Sequence, residues 1–349
     1  MKRSSTTVAV SAALSGSIGE PALGRVSWRR PLSFLIACFG LLPGCDPSPT
    51  PSGVRQDRRF IAVVGAGQDD PLWPVVSASA ERCRPGLGKL ELRTAAPEGV
   101  SVNAQARLIR QLQDEGLKGL CIQVIDPKAT EAILRRLVKD GIVVVTLVRE
   151  VASSEPYMHC GVSETSVGEA MADLVAEALR EKGTLAVLHA DAGQPHSRER
   201  HQAFNARLQG YAQLTVLREF DCGGDPARSR DLIRQCMARY PRLNAWVSLD
   251  NWPLIGLGSQ PLLPPGCKLV TSDPNPSVWE ALADGRCHAM VGADYGTIVR
   301  QALERCATAM EGNIVRSRTY LAPPRRVWAG DLHAYKLDWY AWCSTHTGG

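Results

Sequence analysis

FIAVVGAGQDDPLWPVVSAS, residues Phe60–Ser79, is the stretch from which the rest of the chain can be read. Phe60 to Val64 is a short unbroken apolar run, the pattern of a strand buried on both faces in a parallel sheet. Gly65 and Gly67 let the chain turn. Asp69 and Asp70 stand where a helix needs acceptors for its free N–H groups, and Pro71 suits the first helical position. Leu72 and Trp73 then open the helix. In a strand–loop–helix unit of this kind the loop lies at the carboxyl end of the sheet, where open α/β folds bind ligands. Two readings of the loop compete. Val63-Val64-Gly65-Ala66-Gly67 matches the opening of a dinucleotide fingerprint, but that fingerprint wants a third glycine near position 70 and a helix N-terminus free for pyrophosphate. Two carboxylates there would repel a phosphate. The other reading is a cleft loop that offers a carboxylate and an aromatic ring to a neutral polar ligand.

Outward from this unit the same alternation continues. Strands are expected at Lys89–Arg93, Gly119–Val124 and Ile142–Leu147, and helices at Asn103–Glu115 and at Pro127–Asp140 with Asp126 as its cap. A second set begins with a helix over Glu164–Glu181 capped by Ser163. It continues with a strand at Thr184–Ala190, a helix at Arg198–Gln209, and further units up to a helix at Gly296–Glu311. Alternation of this kind argues a doubly wound parallel sheet, and the length of the two sets argues two similar lobes. The tail from Thr319 is rich in aromatics and is expected to pack along one lobe.

At 349 residues the chain can bury sizeable cores, and a mean hydropathy of −0.12 describes a soluble globular protein. The formal net charge is +5, of which +4 falls in residues 1–44, leaving +1 for the remainder. The basic excess lies in the leader, so no case for nucleic-acid binding follows. Within that leader, Arg29 and Arg30 precede the apolar run Leu32–Leu42, which is too short to span a bilayer and reads as a secretory signal. Leu42-Pro43-Gly44-Cys45 resembles the lipobox of bacterial lipoproteins, in which the cysteine is diacylated; Pro43 departs from the usual pattern. Residues 1–25 do not look like a signal n-region, so translation is expected to start nearer Val26. Pro47–Gly53 reads as an extended tether. The expected layout is therefore a signal region at 1–44 and a lipid anchor and tether at 45–58.

From Arg59 to about Trp328 the chain resembles the periplasmic sugar-binding proteins of the ribose-binding type. The motifs that carry the resemblance are Asp69–Trp73, Ile125-Asp126-Pro127, Gly141–Arg149, Ser163-Glu164-Thr165, Ser197–Arg200 with Phe204, and Ser272-Asp273. The resemblance implies two doubly wound lobes joined by three crossovers, one taking residues 59–164 plus 295–319 and the other 165–294 plus 320–349. It implies a ligand held between the lobes. By the same resemblance Asp70 and Trp73 contribute a carboxylate and a stacking ring, and Gln123 an amide. Arg149 and Arg198 supply two guanidinium groups, Asp250 or Asn251 an acid or amide, and Asp273 a hydroxyl acceptor. Two departures matter. The family has an acid just before the arginine that follows the strand Ile142–Leu147, where this chain has Val148; and it has a glutamine near the last crossover, where this chain has Ala293.

Eleven cysteines include Cys38 in the leader and Cys45, so nine remain, and an odd number leaves at least one thiol unpaired in an oxidising compartment. Cys267 and Cys287 could pair. His196 and His201 are five apart and point to different sides of a helix, so no metal site is read. There is no G-x-S-x-G and no P-loop lysine. The expected function is non-catalytic capture of a small polar solute, by resemblance a monosaccharide. The protein would be a monomeric extracytoplasmic lipoprotein that needs no cofactor and serves an ABC permease. The alternatives are a sensor module that presents ligand to a membrane receptor, and an NAD- or FAD-dependent oxidoreductase built on Val63–Gly67.

Overall fold

The computed structural model describes residues 59–151, 157–190 and 195–344. The signal region, Cys45 and the tether lie outside the described residues. In chain order the elements are β1 (Phe60–Val64), α1 (Trp73–Cys83), β2 (Glu91–Ala95), α2 (Val102–Asp114), β3 (Leu117–Gln123), α3 (Pro127–Lys139), β4 (Val143–Val148) and β5 (Met158–Val162). Then come α4 (Glu164–Leu179), β6 (Lys182–His189), α5 (Pro195–Leu208), β7 (Gln213–Asp221), α6 (Pro226–Arg239), β8 (Ala245–Ser248), β9 (Lys268–Ser272), α7 (Trp279–Ala283) and β10 (Ala289–Gly292). The chain closes with α8 (Tyr295–Met310), β11 (Thr319–Ala322), β12 (Arg325–Trp328) and α9 (Leu332–Cys343).

These strands form two six-stranded sheets, ordered β11-β5-β4-β3-β1-β2 and β12-β10-β9-β8-β6-β7. The orders are equivalent, so β4 in one lobe corresponds to β9 in the other. All pairings are parallel except that of β12 with β10. Alternation along β1 shows why the first sheet is apolar throughout. Phe60, Ala62 and Val64 face a cluster with Ile109 and Leu112 of α2 and Leu134 and Leu137 of α3, while Ile61 and Val63 face the opposite layer. The second sheet does the same, with Leu185 and Val187 of β6 against α4 and Ala186 and Leu188 on the other side. Helix starts are fixed by side-chain acceptors where the sequence expects them: Asp126 Oδ1 accepts from Ala129 N at 3.0 Å and Ser163 Oγ from Ser166 N at 3.1 Å.

The chain passes between the lobes three times, at β5 to α4, at β10 to α8, and at β11 to β12 through Pro323-Pro324. The tail departs from the expectation of one-lobe packing. Helix α9 touches α1 of the first lobe as well as α7 and β12 of the second. Its aromatic residues explain this: Trp339 meets Trp279 and Tyr295 edge to face, and Trp342 meets Tyr295 and Tyr335. Cys267 and Cys287 are both free thiols, as are the other seven cysteines among the described residues, so the suggested pairing is not formed. No helix of the described residues is long and apolar enough to cross a membrane.

Candidate functional site

A cavity of about 500 Å³ lies between the carboxyl ends of the two sheets. It is lined from both lobes, by the loop after β1 and the ends of β3 and β4 on one side, and by α5 and the ends of β8 and β9 on the other.

On the first side, Gly65 and Gly67 serve close packing. A Cβ on Gly65 would stand 2.3 Å from the Trp73 ring, and one on Gly67 would stand 2.7 Å from the Val100 backbone nitrogen. The helix begins at Trp73, two residues later than the sequence suggests, with Pro74 rather than Pro71 in its first turn. Asp70 Oδ1 accepts from Leu72 N at 2.8 Å and from Gln123 Nε2 at 3.2 Å. Gln123 Oε1 in turn accepts from Ala66 N at 3.2 Å. The Gln123 side chain, though it lines the cavity, is thus mostly engaged in holding the loop. The Asp70 carboxylate takes the Leu72 N–H at the helix start, one of the donors a pyrophosphate would otherwise use.

Two cavity positions carry unusual backbone. Val148, at the end of β4, has φ of 67°, and Arg149 N donates back to Leu147 O at 2.7 Å, which closes a γ-turn around it. A γ-turn of positive φ is rare and strained, more so for a β-branched residue. Asp273, at the equivalent position after β9, has φ of 56°. Arg149 itself lines the cavity and donates through Nη1 to Ile125 O at 2.8 Å.

The second side is a charged network around Arg200. Its Nε and Nη2 reach Glu164 Oε2 at 2.7 Å each, and its Nη1 donates to Ser272 Oγ at 2.9 Å. Burial pushes the Glu164 carboxyl up despite that partner. Asp273 receives Tyr295 OH at 3.0 Å and Ser272 Oγ at 3.0 Å. Burial disfavours its charge, but the Arg200 guanidinium and the donors of Asp250, Ser272 and Tyr295 outweigh that and hold it below the usual carboxylate range. Burial and the Asp273 charge push Asp250 up to about 7. Of the pair, Asp250 is therefore the member that takes up a proton first, while Asp273 keeps its charge. Asn251 is anchored by its Nδ2 to Asp273 O at 3.0 Å, which leaves its side-chain oxygen as an acceptor. His196 is held neutral, lowered to about 3 by burial and by the charges of Arg149 and Arg200. Both of its ring nitrogens are buried and neither has a partner among the described residues. A neutral imidazole there offers one donor and one acceptor to a guest.

Of the residues expected from sequence, the cavity brings together Asp70, Gln123, Arg149, Asp250, Asn251 and Asp273. It does not bring in Trp73 or Arg198, and both assignments are corrected. Trp73 packs its ring against Gly65 and does not line the cavity, whereas Leu72 does. Arg198 is exposed on α5, while Arg200, two residues on, faces inward. Two residues along a helix are about 200° apart, so the two arginines face opposite ways. Sequence reasoning missed Glu164, His196, Arg200, Trp252, Tyr295 and Trp339. Glu164 and Tyr295 each open a helix directly after a crossover, a signal the capping residues Ser163 and Asp294 could have supplied.

Comparison with known proteins bears on this arrangement. Many solved structures share the fold. An ABC transporter solute-binding protein of Burkholderia graminis, in complex with D-arabinose, aligns at a TM-score of 0.68 and 18% identity, covering 79% of this chain and 97% of that one. A glucose–galactose-binding protein of Geobacillus stearothermophilus aligns at 0.69 and 16%, covering 78% and 99%. The fructose-binding periplasmic domain of a hybrid two-component system aligns at 0.66 and 16%, covering 81% and 94%. At such identities the likeness is one of fold. No sequence among the curated proteins matches the chain. The family model described as a periplasmic binding protein domain matches residues 61–314, most of the chain from the first strand to the end of the last long helix before the tail. Two parallel-sheet lobes, three crossovers, a cleft between them lined by charged and apolar side chains and that match together place the chain in the periplasmic binding protein family.

Proposed function

We propose that the protein captures a small, neutral, polyhydroxylated solute, a monosaccharide or a close relative, in the cleft between its lobes and releases it unchanged. The observation that carries this reading is the Arg200–Glu164–Asp273–Asp250 network at the floor of the cleft. Arg200 in the network and Arg149 beside it set two guanidiniums against the Glu164 and Asp273 carboxylates, so the cleft can direct fixed donors and acceptors at hydroxyl groups without demanding a charged guest. Asn251, His196 and Arg149 extend that array, and Trp252 and Trp339 supply the aromatic surface expected of Trp73. Known structures of the same fold bind arabinose, glucose or galactose, and fructose by their descriptions, which supports the sugar class.

In this reading the lobes comprise 59–164 plus 295–322 and 165–294 plus 325–344, the third crossover falling at Pro323-Pro324 rather than at the expected 319/320 because β11 pairs with β5, and they close on the guest by hinge bending at the three crossovers. The protein acts outside the cytoplasm as a monomer, tethered through a lipid on Cys45, and delivers its guest to an ABC permease. The likeness to a domain of a two-component system favours one second reading, a sensor module whose closed form signals to a membrane receptor.

The test is a thermal-shift screen of residues 54–349 against monosaccharides, polyols and nucleosides. A ligand at about a hundred times its Kd adds roughly 2.7 kcal/mol of stability. The shift is expected with a sugar or polyol, and Asp273→Asn and Arg200→Lys are expected to abolish it. A shift that survives both substitutions removes this network from the site; the absence of a shift with every sugar and polyol contradicts the reading.

A further inference from the structure

A second cluster of side chains lies away from the cleft, where α5 crosses the edge of the second sheet. Strands β6 and β7 run in parallel there, with His189 opposite Asp221 and Val187 opposite Glu219. Glu219 and Asp221 are two apart on β7 and so point to the same face. Helix α5 crosses that face and lays the His201 ring on the His189 ring, with centroids 4.4 Å apart and planes at 19°. His201 Nε2 is 3.4 Å from Glu219 Oε2, and His189 Nδ1 is 4.0 Å from Asp221 Oδ2. One ligand atom from each of His189, His201 and Glu219 lies within 4.8 Å of the other two. His201 has its ring partner in His189 on β6 rather than at position 196.

We propose that His189, His201 and Glu219 form a site for a divalent transition-metal ion of the zinc class, separate from the cleft. Two imidazoles and one carboxylate are the donor set that such an ion prefers, and hard cations such as Ca²⁺ and Mg²⁺ do not. Zinc takes nitrogen and oxygen ligands at about 2.0–2.2 Å, so donors around it stand about 3.4 Å apart. The two rings are stacked, so both imidazoles must swing about χ2 before their nitrogens point at one ion, and His201 Nε2 must give up its 3.1 Å contact with Asn205 Nδ2. The imidazoles are sunk, with 15% and 9% of their side-chain surface exposed, while Glu219 at 38% forms the mouth. An ion can therefore enter from solvent and keep a water in its fourth position. Asp221 Oδ2 stands 4.0 Å from His189 Nδ1, too far for a hydrogen bond as placed but near enough to become the carboxylate support of a ligating histidine once the ring swings onto the ion.

The placement also gives the ion a task. Helix α5 is mostly polar, and Phe204 and Leu208 are its only apolar side chains fully buried among the described residues. The same helix carries His196 and Arg200 into the cleft. An ion held by His201 would staple α5 to β6 and β7 and fix the bearing of Arg200, the residue next to it in sequence. The proposal does not depend on the identity of the cleft's guest.

The experiment is titration calorimetry of the full chain, purified without a polyhistidine tag and freed of metal with chelator, against ZnCl₂, CoCl₂ and CaCl₂. Zinc and cobalt are expected to bind one per chain and calcium not at all. The cobalt form should show the visible bands of nitrogen and oxygen ligands and no thiolate charge-transfer band. Glu219→Gln and His201→Gln should each weaken zinc by more than tenfold, and Asp221→Asn by about tenfold. Glu219→Gln lies at the surface and keeps the fold intact if the histidine variant does not. Absence of saturable binding, binding unchanged by Glu219→Gln, a thiolate band, or calcium preferred over zinc would each overturn the proposal.

Discussion

Val148 concentrates the individuality of this chain in one residue. It occupies a γ-turn with φ of 67° at the cavity wall, where a β-branched side chain is strained. Aspartate enters positive φ more readily than valine, and Asp273 already does so at the equivalent place in the other lobe. Val148→Asp should therefore be neutral or stabilising despite its lost apolar contacts. It should also raise affinity for an aldopyranose by about tenfold to a hundredfold, the worth of one charge-assisted hydrogen bond at roughly 1.5–3 kcal/mol. Titration calorimetry of the two proteins with the same sugar checks this; weaker binding by the variant would show that the guest needs an apolar wall there. Asp250 gives a second prediction. Its pKa is raised in the fold to about 7, chiefly by burial and then by Asp273, so the native state holds a proton that the unfolded chain loses near pH 4. The stability this contributes is full below the unfolded pKa and is lost as pH rises through 7. Urea unfolding at pH 5 to 8 should show the wild type declining relative to Asp250→Asn; parallel profiles would remove the proton on Asp250 from the account.

Elements decide what the sequence could reveal. Strands such as β1, apolar throughout, and β4, apolar but for Thr146, declare their place in a covered sheet without any structure. Asp250 and Asp273 come just after β8 and β9, and their place at the cleft is expected from the family resemblance rather than from the pattern of those strands. Helix α5 is the contrary case. It has no apolar stripe to set its register, and its true start at Pro195 lies three residues before the expected one. The face that carries Arg200 could not be told from the face that carries Arg198. What fixes that face is a contact distant in sequence, the close passage of α5 over Gly168 of α4. A Cβ on Gly168 would stand 2.2 Å from Arg200 O and 2.9 Å from Phe204 N. Gly168→Ala must therefore push α5 outward and carry Arg200 with it. The expected cost is about 1–3 kcal/mol in chemical denaturation, together with loss of ligand binding. Unchanged binding in a destabilised variant would separate the packing of α5 from the geometry of the cleft. Trp73 was misplaced for a related reason, since a helix that starts two residues late turns its first side chains by more than half a revolution.

For the whole molecule, the matched order of the two sheets explains why the functional groups converge. In each sheet the carboxyl ends of the parallel strands face the same gap, so loops far apart in sequence supply one site. The tail adds a part that no local pattern reveals. Helix α9 spans α1 and α7 and sends Trp339 into the cleft, so it must accommodate any change in the angle between lobes. The central claim is that this gap holds a neutral polyol by the network around Asp273 and does no chemistry on it. Its most direct test is calorimetric titration with the monosaccharide that gives the largest thermal shift, followed by recovery of the bound molecule and its mass and carbon NMR spectrum. One ligand per chain, recovered unaltered, with binding lost in Asp273→Asn, is the predicted result. Binding that Asp273→Asn leaves intact, or a recovered molecule chemically changed, would contradict it.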